Sequence, residues 1–253
     1  MGHRLNWLLF RRSLHHWRSE ADMATKRSLP ELRRIRDKAR LLRQQLDRFL
    51  LTADTRLALP QTGTNAFARP HGTDWSWRPA LWRSPLEIRG ISSVSTKAQL
   101  GDGVQIFHDC STSELTLRQL RNRRAADIAP FGLRLDVFKF DGSFLSLAID
   151  LPETALTGLT KEHILRVNSI VEFEKPLQIF IRLNIKHGPN TEQLVRELPL
   201  DDEDIKVEFD LAYTSLNENR LEKIWVDLIF EAAEMNEIIL RDLTFLRQPR
   251  AAF

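Results

Sequence analysis

Apolar residues recur at every second position through at least six runs between Phe131 and Phe245, a period that marks strands with one buried face. The runs fall at 133–140, 144–151, 163–174, 177–187, 205–213, 221–231 and 237–247, after shorter stretches at 104–107 and 114–117. Phe140-Asp141-Gly142-Ser143 joins the first two. An Asp-Gly pair between alternating runs predicts a type I′ hairpin, whose two central residues need positive φ. Gly188-Pro189-Asn190 and Asp201 to Asp204 read as further turns. Long strands without intervening helices predict a mainly β fold, an antiparallel β-sandwich of jelly-roll type, behind an N-terminal amphipathic helical arm.

The arm shows a different period. Ser28-Leu29-Pro30-Glu31 is a helix start of the capping-box kind, with Pro30 in the first turn where a missing N–H costs nothing. Leu32, Ile35, Ala39, Leu42, Leu46 and Phe49 then follow at alternating three and four spacing, which predicts a helix over 29–52 with one apolar stripe. Two readings stand: a coiled-coil seam through Leu32, Ile35, Leu42, Leu46 and Phe49, or a single helix lying on the β domain or on a partner. Upstream, Trp7, Phe10, Leu14 and Trp17 are spaced alike, with Arg4, Arg11, Arg12, His15, His16 and Arg18 on the other sides. Residues 1–20 therefore read as a helix for contact with an anionic membrane surface, as one docked on its own protein, or as a partially disordered tail.

Between Leu59 and Arg89 the periodicity vanishes, and Pro60, Pro70, Pro79 and Pro85 forbid a long helix. Trp75, Trp77 and Trp82 could form a sugar-stacking platform; the preferred reading is an extended strap held to a domain by large apolar anchors. The expected division is a basic helical arm at 1–56, a Pro/Trp-rich connector at 57–89 and a sandwich at 90–253.

Charge sharpens that division. Residues 1–124 carry roughly +12 and residues 125–253 roughly −9, which gives the arm and the body different partners. Nucleic acid is an expected partner of basic chains, but no helix-turn-helix, RNP-like, zinc-finger or GxxG pattern supports it. The single cysteine, Cys110, forms no internal disulfide, and no Cys/His cluster calls for zinc. With no run of 18 apolar residues and no signal-peptide core, the expected location is cytoplasmic, peripheral to a membrane at most.

Period two sorts each strand into faces. Inward fall Leu133, Leu135, Val137, Leu145, Leu147, Ile149, Ile179, Ile181, Leu183, Val207, Phe209, Ile224, Val226 and Leu228. Outward fall Asp136, Asp150, Arg166, Asn168, Arg182, Asn184, Lys186, Trp225 and Asp227. Carboxylates, amides and arginines around a tryptophan are what a sugar-binding face uses, so Asp136, Asp150, Arg166, Arg182, Asn184, Trp225 and Asp227 are the candidate ligand residues; a solvated sheet surface is the plain alternative. No GxSxG, Walker, HExxH or GxGxxG motif appears, and neither catalytic residues nor a metal or other cofactor is expected. Cys110, beside His108 and Asp109, reads as a small buried thiol, His187 as a turn histidine bonded to backbone, and the acidic run 201–204 as a solvated turn in preference to a calcium loop.

The phrases Phe180-Ile181-Arg182-Leu183-Asn184-Ile185-Lys186-His187-Gly188-Pro189-Asn190-Thr191-Glu192-Gln193, Asp141-Gly142-Ser143-Phe144-Leu145-Ser146 and Ile224-Trp225-Val226-Asp227-Leu228-Ile229-Phe230-Glu231 resemble an uncharacterised bacterial family defined only as a domain of unknown function. The likeness covers most of residues 80–253 and implies no activity. The last strand, Ile238-Ile239-Leu240-Arg241-Asp242-Leu243-Thr244-Phe245, is similar to galactose-binding-like and carbohydrate-binding jelly rolls, an analogy at the level of fold. The expectation is thus a non-enzymatic binding or interaction protein, with a carbohydrate-binding-like sandwich and a basic arm for self-association or docking to a partner or membrane. Two alternatives stay open: a glycan-active enzyme or accessory subunit working through Asp136, Asp150 and Asp227, and a nucleic-acid-associated protein.

Overall fold

The structure is a computed structural model and describes residues 2–57, 65–124, 126–200 and 204–250. The chain divides into two units, Met1–Ala53 and Asp54–Phe253. The first holds α1 (Gly2–Met23) and all but the last four residues of α2 (Leu29–Leu57), linked by a short 3-10 turn, Ala24–Lys26. The start of α2 differs from a capping box: the Ser28 hydroxyl donates to the Glu31 carboxylate at 3.1 Å, and the Leu32 N–H closes the first turn on the Ser28 carbonyl. Arg27 bonds both carboxylate oxygens of Glu20, at 2.8 and 2.9 Å, and so ties the linker to α1. Along the stripe of α2, Leu32 and Ile35 are half-buried while Leu42, Leu46 and Phe49 are exposed. Among the described residues, no helix is long and apolar enough to cross a membrane.

The second unit is a sandwich of two antiparallel sheets. Strands β1 (Trp75–Trp77), β2 (Gly90–Ser92), β4 (Leu115–Arg121), β5 (Phe131–Val137), β7 (His163–Phe173), β10 (Asp204–Asp210) and β12 (Asn236–Pro249) form the larger, in the order β10-β7-β12-β5-β4-β2, with β1 added to β12. The smaller has the order β3-β6-β11-β8-β9, from β3 (Val104–His108), β6 (Leu145–Asp150), β8 (Gln178–His187), β9 (Asn190–Glu197) and β11 (Leu221–Glu231). All the residues assigned inward from the alternation are buried between these sheets. Burial of branched and aromatic side chains from both inner faces is the main stabilising term.

One expectation about connections changes. Asp141 and Gly142 do not make a hairpin: β5 pairs with β4 and β12, β6 pairs with β3 and β11, and neither Asp141 nor Gly142 takes positive φ. Residues 138–144 instead carry the chain from one sheet to the other. The turn at Gly188 is a true hairpin, with φ +59 at Gly188 and β8 returning as β9. Strand β9 has no alternating pattern because it is an edge strand whose side chains are nearly all outside the core. Residues 201–203 of the acidic run lie outside the described residues; Asp204 opens β10.

The Trp-rich segment is part of the sandwich. Strand β1 pairs with β12 beyond the stretch that β5 occupies, placing Trp75 opposite Arg247 and Trp77 opposite Phe245. After Pro79 a single helical turn, α3 (Ala80–Arg83), drives Leu81 and Trp82 into the core. The Trp82 indole N–H donates to the Leu240 carbonyl at 2.9 Å. Gln119 of β4 fastens the same segment: its amide donates to the carbonyls of Leu81 and Ser84 and accepts from the Leu86 N–H.

Candidate functional site

The outer face of the smaller sheet is built in rows set by cross-strand register. One row runs Phe107, Ser146, Ile229, Phe180; the next Gln105, Ala148, Asp227, Arg182, Val195; the third Asp150, Trp225, Asn184, Gln193. Strand β6 contributes the smallest side chains, Ser146 and Ala148, between the larger residues of β3 and β11. The result is a trough along β6. It encloses about 430 Å³ and is lined by Gln105, Phe107, Phe144, Ser146, Ala148, Asp150, Arg182, Lys223, Trp225, Asp227 and Ile229.

Its polar groups are fixed by one another. The Asp227 carboxylate is buried, and three donors converge on its Oδ2: Arg182 Nε at 3.0 Å, Arg182 Nη2 at 2.8 Å and Asn184 Nδ2 at 2.9 Å. Gln193 in turn donates to Asn184 Oδ1 at 3.0 Å, so the network reaches the edge strand. At the other end, Lys223 bridges to Asp150 at 2.9 Å while its ammonium sits 5.5 Å from the Trp225 ring centroid. Both groove carboxylates thus carry a cation, an arrangement suited to accepting hydrogen bonds from ligand hydroxyls.

Five of the seven residues named from sequence lie together here: Asp150, Arg182, Asn184, Trp225 and Asp227. The other two are on the opposite sheet. Asp136 is on β5, where it accepts from Arg134 Nε and the Thr116 hydroxyl, each at 2.7 Å. Arg166 is on β7, bonded through Nε to Glu208 at 2.8 Å. The supposed shared face of Asp136, Asp150 and Asp227 is therefore two faces on different sheets. Period two assigns a side chain to inside or outside, but it is blind to which sheet a strand joins.

Gln105, Phe107, Phe144, Ser146, Ala148, Lys223 and Ile229 complete the trough without having been singled out. For all but Phe144, which precedes β6, the signal was available, since each alternates with buried residues on its own strand.

Elsewhere the reactive-looking groups have local roles. His108 is buried with Nε2 2.8 Å from the Val94 carbonyl, and its Nδ1 accepts from the Cys110 N–H. Cys110 is half-buried, not fully buried as expected, and desolvation pushes its thiol up, away from the nucleophilic thiolate. His187 Nδ1 accepts from the Asn217 backbone. Among the described residues, no group of three His, Cys, Asp or Glu side chains is placed to hold a metal ion.

Comparison with known proteins gives a family and remote structural likenesses. The sequence matches over residues 1–253 the family described as "Family of unknown function (DUF6478)". No curated protein matches. The structure is similar to the family 11 carbohydrate-binding module from Clostridium thermocellum in complex with a β-1,3-1,4-mixed-linked tetrasaccharide, at TM-score 0.40 and 8% identity over 64% of this chain and 97% of that one. It is similar also to the C-terminal family 22 module of Clostridium thermocellum Xyn10B, at TM-score 0.38 and 7% identity over 74% and 99%. A third is the enzymatically active domain of bacteriophage CBA120 tailspike protein 4, at TM-score 0.41 and 7% identity; the match covers 62% of this chain but only 21% of the tailspike chain.

Proposed function

The chain belongs to the DUF6478 family, and we propose that it is a glycan-binding protein that holds a carbohydrate chain in the trough along β6, with its basic helical arm as a docking element. The observation that carries this reading is the convergence of three aromatic rings, Phe144 exposed and Phe107 and Trp225 half-buried, and mutually fixed polar groups around a floor of Ser146 and Ala148. A pyranose ring has an apolar C–H face and a rim of hydroxyls. Trp225, Phe107 and Phe144 offer surfaces for the first, because an aromatic ring buries large area with few rotors to immobilise. Asp227, Arg182, Asp150 and Gln105 offer hydrogen bonds for the second.

The polar groups need little reorganisation on binding. All three donors to Asp227 use Oδ2, which leaves Oδ1 with acceptor capacity on a side chain already held in place. From Phe144 to Asp150 the trough follows β6 for about 20 Å, a length that fits an oligosaccharide better than a single sugar.

Affinity electrophoresis of the full-length chain in gels containing soluble polysaccharides tests the proposal. Retardation is expected with at least one polysaccharide, and it should be lost in Trp225→Ala and Arg182→Ala with circular dichroism unchanged. Unretarded migration across neutral and charged polysaccharides alike would overturn it. Release of reducing ends, abolished by Asp227→Asn, would make the protein an enzyme instead.

A further inference from the structure

The arm and the trough are chemically unlike, and the arm has a surface of its own to account for. Residues 1–53 hold thirteen Lys and Arg against five Asp and Glu, and the first nineteen residues contain no acid at all. Residues 54–253 have the opposite balance, 24 bases to 29 acids. Within α1, Trp7, Phe10, Leu14 and Trp17 share one helical stripe. The first three are 55%, 64% and 51% exposed, and Trp17 is half-buried. The Arg11 guanidinium lies 4.8 Å from the Trp7 ring centroid, and Arg18 follows one heptad later on the same flank.

From this geometry we infer that α1 docks on a lipid surface bearing anionic headgroups. An exposed aromatic and aliphatic stripe enters the boundary between headgroups and acyl chains, while arginines along its flank reach the phosphates. A second copy of this chain fits the arm less well, because pairing two copies would bring like charges together. Nucleic acid would satisfy the cations but leave Trp7, Phe10 and Leu14 in water. An anionic bilayer answers both the charge and the apolar stripe. The consequence is a tether between the chain and a membrane surface.

Sedimentation of the full-length chain with vesicles tests this. It should pellet with vesicles of phosphatidylcholine and phosphatidylglycerol, much less with phosphatidylcholine alone, and retention should fall as salt is raised. Trp7→Ala with Phe10→Ala should lower partitioning about tenfold or more, as should Arg11→Glu with Arg18→Glu. Equal binding to neutral vesicles, or undiminished binding without Trp7 and Phe10, would overturn the inference. So would a chain that sediments as a dimer, or is retained on DNA, yet does not pellet with anionic vesicles. Trp225→Ala should pellet like the unaltered protein, so that failure of the trough and failure of the arm give different results.

Discussion

Asp109 and Asp141 clasp one another's loops: each carboxylate binds the serine two residues beyond the other aspartate. Asp109 accepts from the Ser143 hydroxyl at 2.6 Å and from the backbone N–H groups of Ser143 and Phe144 at 2.7 and 3.2 Å. Asp141 accepts from the Ser111 hydroxyl and, at 3.1 Å, from the Ser111 N–H. The clasp joins the end of β3 to the crossover that enters β6, and it fixes the backbone of Phe144 at the rim of the trough.

The clasp should make stability depend on acid. The Ser143 hydroxyl and two backbone N–H groups hold the Asp109 carboxyl below its ordinary value, and Ser111 does the same for Asp141. A carboxylate depressed in the folded state contributes stability that is present above its unfolded pKa and is lost as pH falls through its folded one. The thermal midpoint should therefore decline as pH drops below the ordinary aspartate value of 3.8, and Asp109→Asn with Asp141→Asn should flatten that limb. Parallel slopes for the two proteins between pH 4 and 2 would show that the clasp contributes nothing.

Gly142 is needed for closeness. A Cβ there would lie 2.5 Å from Asp109 Oδ1, 3.0 Å from the Cys110 nitrogen and 3.0 Å from Phe140 Cζ. Gly142→Ala should cost about 1–3 kcal/mol in urea unfolding, the usual range for overpacking, although its backbone is not left-handed. A change within a few tenths of a kcal/mol would mean that the two loops can part freely.

Much of the sandwich was legible because each long strand has one face in the core, so Leu145, Leu147 and Ile149 announce themselves by alternation. What alternation omits is partnership. Asp141-Gly142 carries the composition of a hairpin turn, yet the residues around it serve a crossover, where tight contact with Asp109 asks for the same glycine. Strand β9 lacks a core face, and β1 and β2 have three residues each, too few to show a period. The same blindness joined Asp136 to Asp150 and Asp227, while the small residues that form the trough floor drew no notice. Arg78 was unreadable for another reason: nothing local distinguishes an arginine that will be sealed under a strap from one in solvent.

The trough floor offers a test that leaves its polar groups in place. Ala148 lies at the middle of the face, flanked by Gln105 and Asp227. Ala148→Phe would fill the trough from below, outside the core. It should abolish polysaccharide retardation while changing the thermal midpoint by no more than a few degrees. Retained binding would move the ligand off β6.

Arg78 and Asp242 give the sharpest stability prediction. Arg78 is fully buried and meets Asp242 in two hydrogen bonds, Nε to Oδ1 at 2.9 Å and Nη2 to Oδ2 at 2.8 Å, with its guanidinium 5.0 Å from the Phe67 ring centroid. Burial pushes the Asp242 carboxyl up while the guanidinium pulls it back, and Arg78 Nη1 has no hydrogen-bond partner among the described residues. Such a pair is costly to form and costlier to break, because removing one member strands the other charge in a dry interior. Asp242→Asn should thus lose about 3–5 kcal/mol in urea unfolding. Arg78→Met with Asp242→Leu should recover most of that loss, since two apolar side chains of similar bulk replace both charges. If the double variant were the less stable one, the ion pair would be holding the strap to β12 by attraction, and a matched apolar contact could not substitute for it.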